Sequence, residues 1–252
     1  MDARAPLSAV LITRNAAGEL DACLASVAFC AEILVVDSGS TDRTAALALA
    51  RGATVLDHPW PGYGKQKQFA VARAAHDWVL CIDADERVSE PLRAAIVAEL
   101  AAPRGFVYAV ARCNRFLGRW LRHGEGYPDW SVRLFHRGHA QWSDDTVHEQ
   151  VLTTATVLRL GGDLLHDSAD SLERYLEKQN RYTTLQAERL AAEGRSTNAA
   201  QLLLSPLVRF VKFYVFRLGF LDGAAGLVHI LIGCQNSFVK YAKLLAMKRA
   251  AR

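Results

Sequence analysis

The run Cys81-Ile-Asp83-Ala-Asp85-Glu86 places two carboxylates one residue apart, directly after the apolar stretch Trp78 to Ile82. If the chain stays extended through both, their side chains point to one side. Oxygen ligands paired in this way suit a hard divalent cation such as Mg²⁺ or Mn²⁺, which bridges to substrate phosphates. The same residues also fit a solvated acidic turn, so their neighbours must decide. Two further polar clusters follow apolar runs in the same manner: Thr13-Arg14-Asn15, and Asp37-Ser38-Gly39-Ser40-Thr41-Asp42. Asp37 fits a partner for a ribose hydroxyl or a base edge, whereas Asp42 fits a helix cap. Lys65 and Lys67, in the GYGKQKQ loop, fit phosphate contacts or ordinary surface positions.

Such clusters act together only if a scaffold ends several strands in one place. Ala9–Thr13, Ile33–Asp37, Ala53–Leu56 and Trp78–Ile82 read as short buried strands. They alternate with helical patterns over about Glu19–Ala28, from Ser40 or Thr41, over Gln66–Ala75, and from Ser89 and Pro91 to Ala101. That alternation predicts an α/β fold, a mostly parallel Rossmann-like sheet covered by helices, in which ligands bind beyond the carboxyl ends of the strands. All three clusters lie at such ends. A nicotinamide dehydrogenase is disfavoured, because the first strand is followed by TRNAAGE in place of a G-x-G-x-x-G cradle. Without glycines, a pyrophosphate needs another source of neutralisation, which a metal on the acidic pair supplies.

Beyond Gly105 the pattern changes to strands at Phe106–Ala111, Val132–His136 and Val157–Leu160, then a polar helix over Ser171–Glu193. From Ser205 to Arg252 the chain reads as apolar helix broken around Gly219–Gly223. The five cysteines stand singly, which argues against disulfides and zinc and for a reducing compartment. The opening MDARAPLSAVLIT reads as a strand, not a secretory leader, and no stretch reaches the ~18 uncharged apolar residues of a membrane span. Eight Lys/Arg against Asp222 give residues 205–252 a charge of +7; since the chain totals +4, the remainder carries −3. This asymmetry points to an anionic surface as partner.

SAVLITRN, ILVVDSGSTDRT, GYGKQKQFAVARA and WVLCIDADERVS resemble, in order and spacing, the family 2 glycosyltransferases across residues 7–100. GEGYPDWSVRLFHR, VHEQV and FLDGAAGL…FVKYAKL resemble a narrower branch, the lipopolysaccharide core β-glucosyltransferases that extend the inner-core heptose. The resemblance implies a GT-A fold, with a catalytic domain over 1–170 and a helical, membrane-associating region over 171–252. Within the catalytic domain, 1–104 would take the nucleotide sugar and 105–170 the acceptor. It implies that Thr13 and Asp37 contact nucleobase and ribose, with Asn15 in the same donor cluster and Lys67 near the diphosphate. Asp83 would hold ribose or a metal-bound water, Asp85 the Mg²⁺ or Mn²⁺, and His148 would be a further ligand. Arg14 departs from the Tyr or Lys of many relatives, which puts base stacking in doubt.

The implied reaction is an inverting transfer of a hexose, glucose from UDP-glucose, onto a saccharide acceptor. The alternatives are another glycan or lipid-linked acceptor, or a non-catalytic nucleotide-binding protein on the membrane. Inversion needs one general base to deprotonate the acceptor hydroxyl. Asp129 leads, with an ion pair to Arg133 as its plain alternative. Glu149 is second, with a surface strand position as its own. Asp144 and Asp145 read as turn caps; His123, His136, His139 and His166 show no ligand spacing and read as structural. Phe210, Phe213, Tyr214, Phe238 and Tyr241 share helices with Arg217 and Lys243. These helices are expected to lie on an anionic membrane with the apolar side down, or else to pack on the catalytic domain. The protein is therefore expected in the cytoplasm, peripheral on the inner face of the cytoplasmic membrane, with no nucleic-acid partner.

Overall fold

A computed structural model describes residues 4–145, 149–167 and 171–250. The chain divides into two compact units, Met1–Arg112 with Asp129–His166, and Cys113–Pro128 with Asp167–Arg252. This division differs from a linear boundary at residue 170, since residues 113–128 leave the sheet and join the helices.

In the first unit the strands are β1 (Ala5–Thr13), β2 (Cys30–Asp37), β3 (Thr54–Asp57), β4 (Trp78–Asp83), β5 (Glu86–Val88) and β6, which starts at Val107 and runs to Phe116. After the excursion through β7 (Arg119–Trp120) come β8 (Asp129–His136), β9 (Ala140–Trp142), β10 (Val151–Thr153) and β11 (Val157–His166). The sheet order is β3-β2-β1-β4-β8-β6-β11-β5. β3, β2, β1 and β4 are parallel neighbours, whereas β8 joins antiparallel to β4 and β6, and β5 pairs antiparallel with β11. The expected parallel sheet thus holds for the N-terminal half, with antiparallel strands appended. β9 and β10 form a separate hairpin.

Helices α1 (Leu20–Ser26), α2 (Thr44–Ala50), α3 (Tyr63–Arg73) and α4 (Glu90–Ala101) follow β1, β2, β3 and β5. Ser89 caps α4 by accepting from the Leu92 amide, with Pro91 in the first turn, as the sequence predicts. The central strands are buried on both faces, and successive side chains enter different cores. Ala9, Leu11, Val35, Leu80 and Ile82 fill one, and Val10, Leu34, Val36, Val79 and Cys81 fill the other. This period of two fixes where the strand ends deliver their polar groups. Thr13 and Asp37 continue the first set, and Asp83 continues the second.

The second unit contains α5 (Leu172–Ala192), α6 (Ala199–Phe210) and α7 (Gly223–Ala250). A π-helical segment, Val211–Phe216, extends α6, and a 3₁₀ turn, Gly219–Asp222, leads into α7. Both α5 and α6 pack along α7. Residues 113–128 are tied to these helices by buried polar groups. Asp222 accepts from the amides of Arg122 (3.0 Å) and His123 (2.8 Å) and lies 3.0 Å from His123 Nδ1. Glu125 accepts from Arg209 Nε at 2.9 Å.

Ala199–Phe216 forms a helix long and apolar enough, by length and composition, to cross a membrane, although Arg209 and Lys212 interrupt any uncharged run. Phe210, Phe213 and Tyr214 are half-buried, whereas Phe216 is exposed, so the aromatic side chains of this helix divide between its two sides.

Candidate active site

The carboxyl ends of β1 and β2 build the first part of the site. Thr13 Oγ1 donates to Asp37 Oδ1 at 3.1 Å. Asp37 also accepts from the Ser40 hydroxyl (2.5 Å) and amide (2.8 Å). Asn15, at φ 52°, accepts from the Thr41 amide at 2.8 Å, and its own amide donates to Ser40 Oγ at 2.9 Å. Asparagine tolerates that left-handed backbone better than most residues. The turn after β1 and the turn after β2 therefore hold each other, and Asp37 is fixed in a buried position. Asp42, one residue before the N-cap Arg43, accepts from the Thr44 amide at 2.9 Å and so holds the start of α2 from outside the cap position. Gln66 of α3 extends the cluster by donating to Ser38 Oγ at 2.9 Å.

The second part stands on α3, β4, β6 and β8. Gly64, in the first turn of α3, lies against the backbone after β9. A β-carbon there would overlap the Ser143 carbonyl oxygen, so only glycine permits this approach. The approach buries Lys67, whose Nζ lies 3.1 Å from Asp83 Oδ1, 3.1 Å from Glu149 Oε1 and 4.8 Å from the Trp142 ring centroid. Trp142 is itself fixed, with its amide donating to Gln68 Oε1 at 2.9 Å and its indole to Cys81 Sγ at 3.4 Å.

From Asp83 the charges continue in alternating sign. Arg133 Nη2 donates to Asp83 Oδ2 (3.0 Å) and to Glu86 Oε1 (2.6 Å). Arg112 lies 3.8 Å from Glu86 and grips Asp129 Oδ2 through Nε (2.9 Å) and Nη2 (2.7 Å). Arg112 and Asp129 are direct cross-strand partners in the β6/β8 register. Glu149, Lys67, Asp83, Arg133, Glu86, Arg112 and Asp129 thus form one chain of ion pairs. A cavity of about 430 Å³ opens beside it, lined by Lys67, Asp83, Arg112, Arg133, Trp142 and Glu149, among others.

The electrostatics follow from burial and from these partners. Burial raises the pKa of Asp83, but the Arg133 and Lys67 charges and hydrogen bonds outweigh it and hold the carboxyl below its usual range. Glu86 is raised by burial, with the Asp83 charge adding to it and Arg133 opposing. Burial alone would lower Arg133, yet Glu86 and Asp83 keep it firmly protonated. Its Nε has no hydrogen-bond partner among the described residues, which leaves a buried donor.

Several expectations are corrected here. β4 ends at Asp83, and Ala84 and Asp85 form a turn closed by Glu86, which accepts from the Asp83 amide at 3.0 Å. The acidic pair is therefore not extended, and its members have different partners. Asp85 Oδ2 lies 3.2 Å from His166 Nε2, at the end of β11, where His166 is the register partner of Glu86. His166 is thus drawn into the site. Asp129 pairs with Arg112, not Arg133, and opens β8 instead of preceding it in a loop. Glu149 lies just before β10, beside the cavity. His148 falls outside the described residues.

Sequence reasoning passed over Arg112, named Glu86 only as part of the acidic run, and read His166 as structural. A usable signal existed for Arg133, a charge inside the otherwise apolar strand VRLF, since unpaired charges are almost never fully buried. Arg112 and His166 gave none, because their partners are fixed only by strand register. As for a metal, Asp85 and His166 offer one oxygen and one nitrogen donor, and no group of three His, Cys, Asp or Glu side chains converges among the described residues. That donor set fits a divalent cation that takes its remaining ligands from phosphates and water.

A half-parallel sheet with polar clusters at its strand ends and helices on both faces is the nucleotide-binding GT-A architecture of glycosyltransferases. Residues 8–160 match the model of glycosyl transferase family 2, and the chain belongs to that family. It is 34% identical to the lipopolysaccharide core biosynthesis glycosyltransferase LpsC of Rhizobium meliloti (strain 1021), over 95% of this chain and 92% of that protein. It is 29% identical to the uncharacterized glycosyltransferase RP128 of Rickettsia prowazekii (strain Madrid E), over 94% of this chain and 86% of that one. A partial likeness links it to glucosyl-3-phosphoglycerate synthase from Mycobacterium tuberculosis in complex with Mn²⁺ and UDP-glucose. There the identity is 28%, the coverage 43% of each chain and the TM-score 0.37.

Proposed function

We propose that this glycosyltransferase moves glucose from UDP-glucose, with inversion, onto a saccharide acceptor, the heptose of the lipopolysaccharide inner core. The observation that carries the reading is the chain of ion pairs running from Lys67 to Asp129 beside the Thr13–Asp37 cluster. It sets cations for a diphosphate next to carboxylates able to take a proton. The near full-length likeness to LpsC supports the acceptor class.

In this reading Asp37, steadied by Thr13 and Asn15, receives the nucleoside, and Lys67 meets the diphosphate. Asp83 holds the ribose or a metal-bound water. Asp85 and His166 would hold Mg²⁺ or Mn²⁺, with His148 as a further candidate ligand. When bound, the cation supplies charge neutralisation for the departing nucleoside diphosphate. Asp129 is the general base. Arg112 grips it through Oδ2 alone, leaving Oδ1 to accept the acceptor proton, and at 39% exposure it is more open than Glu149 at 19%. Glu149, bonded to Lys67, is the second candidate.

The deciding experiment measures donor turnover across UDP-glucose, UDP-galactose, UDP-GlcNAc and GDP-mannose, then transfer to a heptose-bearing core oligosaccharide. UDP-glucose should be used fastest and the heptose acceptor should be glycosylated. Faster use of another donor would replace the sugar, and transfer only to a different glycan would replace the acceptor.

A further inference from the structure

Helix α6 and its π-helical extension carry their polarity inside out. No residue of Ala199–Phe216 is buried. The large apolar side chains turned most fully to the outside are Phe216 (77% exposed), Leu203 (70%) and Val208 (64%), joined by Leu204, Leu207 and Val215. These positions recur every three to four residues and form one stripe along the rod. The patch continues into the 3₁₀ turn through the exposed Phe220 and Leu221.

The opposite side of the same helix carries Arg209. Arg209 points inward, bonded to Glu125 and, at 3.1 Å, to Ser237 of α7. Around it lies a polar cavity of about 90 Å³, lined by Gln179, His229 and Asn236, among others. A helix surrounded by water would present these sides the other way round, and contiguous exposed apolar surface of this kind marks an interaction site.

The charge of the segment selects the occupant. From Arg195 to Leu221 there is no Asp or Glu, while Arg195, Arg209, Lys212 and Arg217 are cationic. Arg209 is spent internally. Lys212 sits within the stripe itself, its Nζ 5.1 Å from the Phe213 ring centroid, and its long stem can carry the ammonium to a headgroup layer. An apolar stripe with only cations at its margin matches an anionic lipid surface.

We infer that the second unit inserts this stripe into the interface of an anionic bilayer, with α6 lying along the surface and not crossing it. Crossing would put lipid on every side of the rod, including the side where Arg209 meets Glu125. The inference deepens the proposed function by naming the residues that reach the membrane bearing a lipid-linked acceptor. Its test needs neither donor nor acceptor.

Full-length protein is sedimented with vesicles of phosphatidylglycerol and phosphatidylcholine, beside the double variant Leu207→Glu, Phe216→Glu. Both positions are exposed, so the melting temperature should not move. Wild type should bind, and part of that binding should survive about 1 M NaCl, where the Debye length is ~3 Å. The double variant should bind at least about tenfold more weakly. A polarity-sensitive fluorophore on Phe216→Cys should shift to the blue with vesicles, a clean readout because the native cysteines are all buried. The inference is overturned if wild type ignores anionic vesicles at low salt, or if the double variant binds as wild type does. It is equally overturned if lipid-free wild type is a dimer that the double substitution makes monomeric, since the stripe would then be an interface between copies.

Discussion

Asp83 and Asp85 are two residues apart and answer to different partners, so their substitution should have different consequences. Asp85→Ala removes an oxygen donor that no neighbour replaces. Transfer should fall by orders of magnitude, and the response to Mn²⁺ or Mg²⁺ should disappear while the fold persists. Unchanged turnover with the same metal response would remove Asp85 from the metal site. His166→Ala should shift the metal concentration needed for half-maximal activity upward, which a purely structural histidine would not do. The base is decided by Asp129→Asn beside Glu149→Gln. Whichever residue takes the proton should lose ~10²–10⁴-fold in kcat with donor affinity nearly unchanged. Normal turnover in Asp129→Asn passes the role to Glu149. A fourth residue-scale outcome concerns Arg133, whose loss leaves Glu86 charged and enclosed. Arg133→Met should cost about 3–5 kcal/mol in denaturant unfolding, and adding Glu86→Gln should recover much of that. A single variant as stable as wild type would mean that Glu86 is already neutral in the folded protein.

Among the elements, α3 and α4 set the clearest tests. The first turn of α3 tolerates only glycine at position 64, because a side chain would strike the Ser143 carbonyl. Gly64→Ala should push the helix off this backbone, displace Lys67 and weaken UDP binding more than it lowers the melting temperature. The C-terminal end of α4 carries a pH-dependent contact. Hydrogen bonding from Arg104 to Glu99 is the largest influence on that carboxyl, burial opposes it, and the Tyr108 hydroxyl adds a further bond. The result lowers Glu99 from 4.5 to about 2. A carboxyl lowered on folding favours the ionised native state. This contribution is complete above the unfolded-state value and disappears as the pH falls from about 4.5 to about 2. The stability gap between wild type and Glu99→Gln should therefore be constant near neutrality and close over that acid window. A gap unchanged down to pH 2 would contradict the assignment.

At the scale of the whole molecule, the +7 carried by residues 205–252 belongs to an integral part of the fold, not to a detachable tail. Arg209 is needed by Glu125, and Asp222 by the amides of Arg122 and His123, so these helices satisfy buried groups of residues 113–128. Ending the chain before Ser205 should lower soluble yield and expose hydrophobic surface, as dye binding would register. A soluble, cooperatively melting truncation would show instead that residues 113–128 hold themselves. The milder change Asp222→Ala should cost about 1–3 kcal/mol for each donor left without a partner.

The sequence by itself determined the alternation of strands and helices, the strand ends where polar clusters gather, and the family. These follow from short-range facts, namely apolar periodicity, caps such as Ser89, and the order of motifs. It also singled out Thr13, Asp37, Asp83, Asp129 and Glu149, polar groups at or near strand ends, and Lys67 inside α3. Only the tertiary structure decided who pairs with whom. Arg112 meets Asp129 because β6 and β8 share a register, and His166 meets Asp85 because β11 ends beside a turn that local spacing read as extended. Such pairings depend on contacts between residues 17 to 81 positions apart, which no local pattern encodes. The same holds for α6. No local pattern names the partner of Arg209, so periodicity could not tell which side packs on α7. That choice was made by Arg209 finding Glu125, and it turned Leu203, Val208 and Phe216 outward.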